Sequence, residues 1–213
     1  MTGVSGRLLG IDVRPADGLL YGVVADGTIV TIGWRGGGAT FKSRLAQVPP
    51  AGVSVSADFN PAADRLRLIG SDGANLRANV DDGTVTQDTG LNFLQPNPLG
   101  GVTPKVVAAA YSNSRASAKA TLLWDIDAAT NAFYLQLPPN AGTLNPVAER
   151  LNIKAGTLGF DIQTSSSGVN TGWLVTNNRL FRVDLPGGSA PGGRRIAGLL
   201  APVRDLAVLN QGR

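Results

Sequence analysis

The sequence predicts an all-β fold, a small β-propeller of four full blades plus a partial fifth blade. Three observations lead there. First, the phrase Gly10-Ile11-Asp12-Val13 returns in altered form at Ala57-Asp58-Phe59, Ala109-Ala110-Tyr111, Phe160-Asp161-Ile162 and Leu206-Ala207-Val208. Its anchor positions, 12, 58, 110, 161 and 207, lie 46, 52, 51 and 46 residues apart. A period of about 40–50 residues with several short strands in each is the signature of propeller blades. Second, glycine (28) and proline (13) fill about a fifth of the 213 positions, as suits many strands joined by tight turns. Third, no stretch shows helical periodicity over about eleven residues. One domain over residues 1–213 follows, with repeats near 8–50, 53–100, 105–150, 156–200 and 203–210.

Each full repeat carries about four strand signals. The first has Leu8–Val13, Leu19–Val24, Thr28–Gly33 and Phe41–Val48, with turns at Ala16-Asp17-Gly18 and Asp26-Gly27. Asp-Gly is hairpin chemistry, because glycine takes the positive φ that the turn requires. The second repeat has Val53–Phe59, Arg65–Ile69, Asn75–Val80 and Thr84–Asp88, with turns at Asp72-Gly73 and Asp82-Gly83. In the third, Val106–Tyr111, Ala120–Ile126 and Ala132–Leu137 precede a Pro/Asn/Gly-rich passage to Glu149. In the fourth come Thr157–Ile162, Trp173–Thr176, Arg179–Asp184 and Arg194–Ala197, with Asn177-Asn178 as a tight turn. The innermost strands hold small residues, Gly10, Ala57, Ala108 to Ala110 and Gly159, as crowding at a ring axis demands.

The fifth repeat holds one strand signal, Val203–Leu209. Residues Met1 to Arg7 can add one strand at most, so the fifth blade is expected to fall short. A trimmed N-terminus, a tolerated gap, or strands from a neighbouring subunit would each account for that, since unpaired edges invite strand addition.

The chain has no cysteine and no histidine. That excludes Cys/His zinc sites, thiol nucleophiles, Ser-His-Asp triads, haem ligation and disulfides. A metal would have to be a hard cation on oxygen, calcium or magnesium. Net charge is +4, carried by scattered arginines rather than by clusters interleaved with aromatics, so no nucleic-acid partner is expected. No window of about eighteen apolar residues exists to span a membrane as a helix. Residues 1–10 lack the basic and apolar regions of a secretory signal.

The phrases Leu9-Gly10-Ile11-Asp12-Val13-Arg14-Pro15-Ala16-Asp17-Gly18-Leu19-Leu20-Tyr21-Gly22, Asp58-Phe59-Asn60-Pro61-Ala62-Ala63-Asp64, Asn75-Leu76-Arg77-Ala78-Asn79 and Pro138-Pro139-Asn140-Ala141-Gly142, with the closing Val203-Arg204-Asp205-Leu206-Ala207-Val208, resemble a bacterial family, domain of unknown function DUF4394. The resemblance covers nearly the whole chain. It implies a β-propeller-like fold and a secreted, periplasmic or cell-surface setting, and it implies no activity and no catalytic residues. Family members carry further strand-forming sequence before the phrase at Leu9, which implies a trimmed start here.

The candidate ligand-binding residues are Asp12, Asp58, Asp161, Arg65 and Arg67. The three aspartates hold the same place in three innermost strands. Convergent at the axis, they would suit calcium or magnesium; otherwise each caps a turn or bonds a neighbouring blade. Arg65 and Arg67 alternate with Leu66 and Leu68, which places the arginines on one face, able to grip a carboxylate or phosphate. The plainer reading pairs them with Asp64, Asp81 or Asp82. Trp34, Trp124 and Trp173 serve as core between blades or, exposed on a rim, as stacking platforms for sugars. Asp125-Ile126-Asp127 is the nearest approach to a calcium loop.

The function expected is a non-enzymatic binding or structural module of an exported protein, with a protein or carbohydrate ligand. The alternatives are strand-complemented self-assembly into oligomers or filaments through the fifth blade, and a polysaccharide hydrolase or lyase using the inner-strand aspartates.

Overall fold

The computed structural model describes residues 2–148, 151, 158–185, 187–199, 201 and 203–209. Four sheets stand in a ring, like the blades of a propeller. Sheet one is β1 (Leu8–Val13), β2 (Leu20–Val24), β3 (Thr28–Ile32) and β4 (Ala39–Arg44), in that order. Sheet two is β5 (Val55–Asn60), β6 (Arg65–Gly70), β7 (Asn75–Ala78) and β8 (Val85–Gln87). The two-residue β9 (Asn92–Phe93) leads into sheet three, β10 (Val106–Tyr111), β11 (Leu123–Asp127), β12 (Ala132–Gln136) and β13 (Thr143–Ala148). There β9 returns as the fifth, parallel strand beside β13. Sheet four is β14 (Leu158–Thr164), β15 (Asn170–Thr176), β16 (Arg179–Val183) and β17 (Arg194–Arg195). One turn of 3-10 helix, Pro139–Ala141, is the only helix among the described residues. Among the described residues, no helix is long and apolar enough to cross a membrane.

The turns follow the predicted chemistry. Asn177 and Asn178 both take left-handed φ, 48° and 57°, which closes the β15–β16 hairpin in two residues. At Asp82-Gly83 glycine is required twice over. Its φ is +79°, and a Cβ there would sit 1.9 Å from the Arg44 carbonyl oxygen.

Alternation in the strands gives each sheet two faces, and the core fills the junctions between sheets. Between sheets one and two, Tyr21, Val23 and Ile29 meet Phe59, Leu66 and Leu68. Between two and three, Ile69 meets Tyr111, Leu123 and Tyr134. Between three and four, Trp124 and Phe133 meet Phe160 and Leu174. Aromatic rings bridge two of these junctions edge to face, Tyr21 on Phe59 at 5.4 Å and Phe133 on Phe160 at 5.9 Å.

Four local expectations need correction. The passage after Leu137 contains a strand, β13, because the edges of β12 and β9 supply partners that no local pattern announces. The second strand of sheet three starts at Leu123 rather than Ala120; Ser117, at φ 60°, belongs to the preceding turn. Val203–Leu209 forms no β-ladder among the described residues. The N-terminal residues do not extend the fifth blade: Thr2 bridges Gly38 at the outer edge of sheet one. The expected repeat boundaries at 150, 156, 200 and 210 lie outside the described residues.

Candidate functional site

The site is built by the innermost strands. Gly10 lets β1 approach β5 closely: a Cβ there would lie 2.7 Å from that of Ala57. Gly159 does the same for β14, where a Cβ would lie 2.6 Å from the Asp205 backbone. This convergence carries Asp12, Asp58 and Asp161 to the axis. One carboxylate oxygen from each lies within 4.8 Å of the others, and all three residues are buried.

Each carboxylate also accepts a main-chain N–H from the next element round the ring. Phe59 N donates to Asp12 Oδ2 at 2.7 Å, and Tyr111 N donates to Asp58 Oδ1 at 2.9 Å. Val208 N donates to Asp161 Oδ2 at 2.5 Å. A fourth carboxylate closes the circle, because Ile11 N donates to Asp205 Oδ2 at 2.9 Å. Three of them also accept from the following residue of their own strand or segment, namely Asp12 from Val13, Asp161 from Ile162 and Asp205 from Leu206. The junction of sheets three and four, where Ala110 holds the anchor, works differently. There Ser114 Oγ donates to the Ile162 carbonyl at 2.7 Å, and Asn113 N donates to Asn170 Oδ1 at 2.9 Å.

Both sequence readings of the aspartates therefore meet at one place: the carboxylates converge, and they bond neighbouring blades. Asp205 is the member that repeat alignment missed. The alignment put Ala207 at the anchor, while the acid that reaches the axis lies two residues earlier in the same phrase.

Crowded acids out of water favour the protonated form. Burial, then the neighbouring Asp161 carboxylate, pushes Asp12 well above the ordinary range. Burial, then Asp12 and Asp161, does the same to Asp58. Burial pushes Asp161 up to about 6 and Asp205 up to about 8, although main-chain N–H donors pull both the other way. Protons thus relieve the repulsion among these groups. Asp12, Asp58 and Asp161, offering one oxygen each, form a group that could hold a hard cation.

The two arginines are not brought together as a clamp. Leu66 and Leu68 are buried as expected, but Arg67 is also buried, at 2% exposure. Its donors are taken by Asp88 at 2.6 Å, Asn75 at 2.7 Å, Asn140 at 2.8 Å and the Tyr111 hydroxyl at 3.1 Å. Arg65 lies half-buried and donates to the Asp64 carbonyl at 2.8 Å. The expected partners belong elsewhere. Asp64 and Asp81 both bind Arg14, with Arg14 Nη2 at 2.6 Å and 2.8 Å from them. Against the upward push of burial, Arg77 and Arg67 hold Asp88 below the usual carboxylate range.

The tryptophans divide. Trp124 is core, stacked on Phe133 at 5.2 Å. Trp173 is half-buried and donates to Gln163 Oε1 at 3.0 Å. Trp34 is 53% exposed beneath the Arg35 guanidinium. Asp125 and Asp127 form no calcium loop. Asp127 accepts from Thr130 N at 2.7 Å and from Lys105 N. Asp125 is wholly buried, and neither of its oxygens has a hydrogen-bond partner.

One family model matches residues 1–207. The chain belongs to the family described as Domain of unknown function (DUF4394). No curated protein matches it. Among solved structures, this DUF4394 chain is similar to a protein of unknown function from Bacteroides thetaiotaomicron, with 13% identity and a TM-score of 0.59, over 93% of this chain and 53% of that one. A protein of unknown function from Bacteroides caccae matches at 13% identity and a TM-score of 0.49, over 92% of this chain and 65% of that one. The computationally designed Ika8 protein matches at 11% identity and a TM-score of 0.43, over 96% and 53%. The first of these shares the fold, and the DUF4394 chain spans about half its length.

Proposed function

We propose that this DUF4394 protein is a non-enzymatic binding module, a rigid ring of sheets in an exported or cell-surface protein that holds another molecule without transforming it. One observation carries the reading. The acids best placed for chemistry, Asp12, Asp58 and Asp161, each accept a neighbouring main-chain N–H across a junction, which is a fastening role. Arg67, the most buried cation among the described residues, makes four hydrogen bonds inside the ring. The cysteine-free composition and the family resemblance support the exported setting.

The test sets catalysis against fastening. Wild type and Asp161→Asn are incubated with soluble polysaccharides and followed by reducing-end release, while thermal melts record stability. The expected outcome is no release from either protein, with the substitution changing the melt alone. Release by wild type that vanishes in a folded Asp161→Asn variant would overturn the reading.

A further inference from the structure

Residues 94–105 join β9, the outermost strand of sheet three, to β10, the innermost. Beside β9 this connection encloses a cleft of about 550 Å3. Asn92, Phe93 and Gln95 line one side of it, and Gly101, Val102 and Thr103 the other. Phe93 is 3% exposed and lies 5.4 Å from the Tyr134 ring, so the cleft rests on the core of sheet three. A turn of sheet two closes in on it as well: a Cβ on Gly73 would lie 2.6 Å from Thr103 Cγ2, and Leu91 N donates to the Gly73 carbonyl at 3.0 Å. The connection braces itself. Asn97 N donates to Gln95 Oε1 at 3.1 Å, Leu99 N to Asn97 Oδ1 at 2.8 Å, and Val102 N to the Leu99 carbonyl at 3.0 Å. A cleft shaped before its ligand arrives spends less entropy on binding.

The chemistry of the lining narrows what can bind. No charged side chain among the described residues lines the cleft, so an ionic ligand finds no counter-charge in it. Strand addition is denied too. Asn92 N and Leu94 N donate to the Gly142 and Leu144 carbonyls, at 2.9 Å and 3.0 Å, which turns the Phe93 N–H and C=O to the free edge of β9. Gln95 Nε2 already caps that carbonyl at 3.1 Å, and an added strand needs both groups. Neutral donors and acceptors remain. Asn92 Nδ2 is held by the Gly90 and Ala141 carbonyls, at 3.1 Å and 2.9 Å. Its Oδ1, the Thr103 hydroxyl and the Phe93 N–H have no hydrogen-bond partner among the described residues. Val102, 53% exposed, adds an apolar wall.

Resting on the binding reading above, we infer that this cleft is a binding site for a neutral saccharide. A sugar hydroxyl both donates and accepts, which suits a set of one amide oxygen, one hydroxyl and one main-chain N–H. The C–H face of a sugar ring suits Val102 and Leu91, which line the same cleft. Its volume lies in the range of small-molecule sites. Uronic acids and amino sugars would lose hydration of their charge and gain no partner for it.

The probes are maltotriose, cellotriose and xylotriose, titrated calorimetrically into the intact protein, with tri-galacturonate and a glucosamine trimer as charged controls. The expected result is saturable binding of at least one neutral trisaccharide, with both charged controls about tenfold weaker or absent. Thr103→Val, which keeps the side-chain shape and removes the hydroxyl, should weaken binding about tenfold, and Val102→Glu should abolish it. Both residues are exposed, so the variants should fold, as circular dichroism will report. Trp34→Ala, at the hairpin between β3 and β4, should bind as wild type does. Binding that both cleft variants leave unchanged, or that Trp34→Ala abolishes, overturns the inference. So does equal binding of the charged trimers. Binding of none of the neutral trisaccharides overturns the saccharide site and leaves the binding module standing; polysaccharide cleavage overturns the binding module itself.

Discussion

Arg67 shows how a charge can be taken inside a ring of sheets. Its guanidinium is out of water, with Asp88, Asn75, Asn140 and Tyr111 as acceptors. Arg67→Ala should cost about 3–5 kcal/mol in chemical denaturation, since Asp88 would keep its burial and lose a partner; a loss below about 1 kcal/mol would show that the network is slack. Asp125 is the opposite case. Burial raises its carboxyl well above the ordinary range, and nothing hydrogen-bonds it. Asp125→Leu, placed among Leu123, Ala109 and Tyr134, should therefore stabilise the protein by about 1–3 kcal/mol; destabilisation of that size would show that the carboxyl is satisfied by interior water. Neither behaviour was legible in the sequence. Arg67 alternated with leucines like a surface residue, and its acceptors Asp88 and Asn140 lie 21 and 73 positions away.

Among the elements, β1 and β10 were legible to the residue, because an apolar or β-branched start, small axial residues and following turn residues all agree. The hairpins were legible for the same reason, since Asp-Gly and Asn-Asn have a direct geometric meaning. β13 was not, because its reason for being a strand is the company of β12 and β9. The segment 203–209 was misread as a strand. Its composition is strand-like, but its main-chain N–H groups at Leu206 and Val208 meet side-chain carboxylates rather than another strand. Packing between sheets carries the stability of these elements. Phe59 is 1% exposed and meets Tyr21 across the first junction. Phe59→Ala should cost about 3–5 kcal/mol, checked by urea unfolding; a cost near that of a surface substitution would mean that the first junction is not closed.

For the whole molecule, the axial acids tie the ring together. The repeat of Asp12, Asp58 and Asp161 was legible in the sequence, but their convergence was not: it stood only as one of two readings, because Ala110 and Ala207 break the series. What they do there was left between two readings, and the fourth acid, Asp205, was hidden because its repeat has no hairpins to fix the alignment. The folded ring holds protons that the unfolded chain releases: Asp161 sits at about 6 and Asp205 at about 8, against about 4 for a free aspartate. Stability from this source is full below about pH 4 and is lost as pH rises through about 6 and then about 8. Asparagine keeps an acceptor for the cross-junction N–H and removes the charge. The most direct measurement is the melting temperature of wild type and of Asp161→Asn from pH 5 to pH 9. The account predicts a wild-type melting temperature that falls across this range and a shallower fall in the variant. A wild-type profile that is flat or rises with pH, and that Asp161→Asn leaves unchanged, would contradict it.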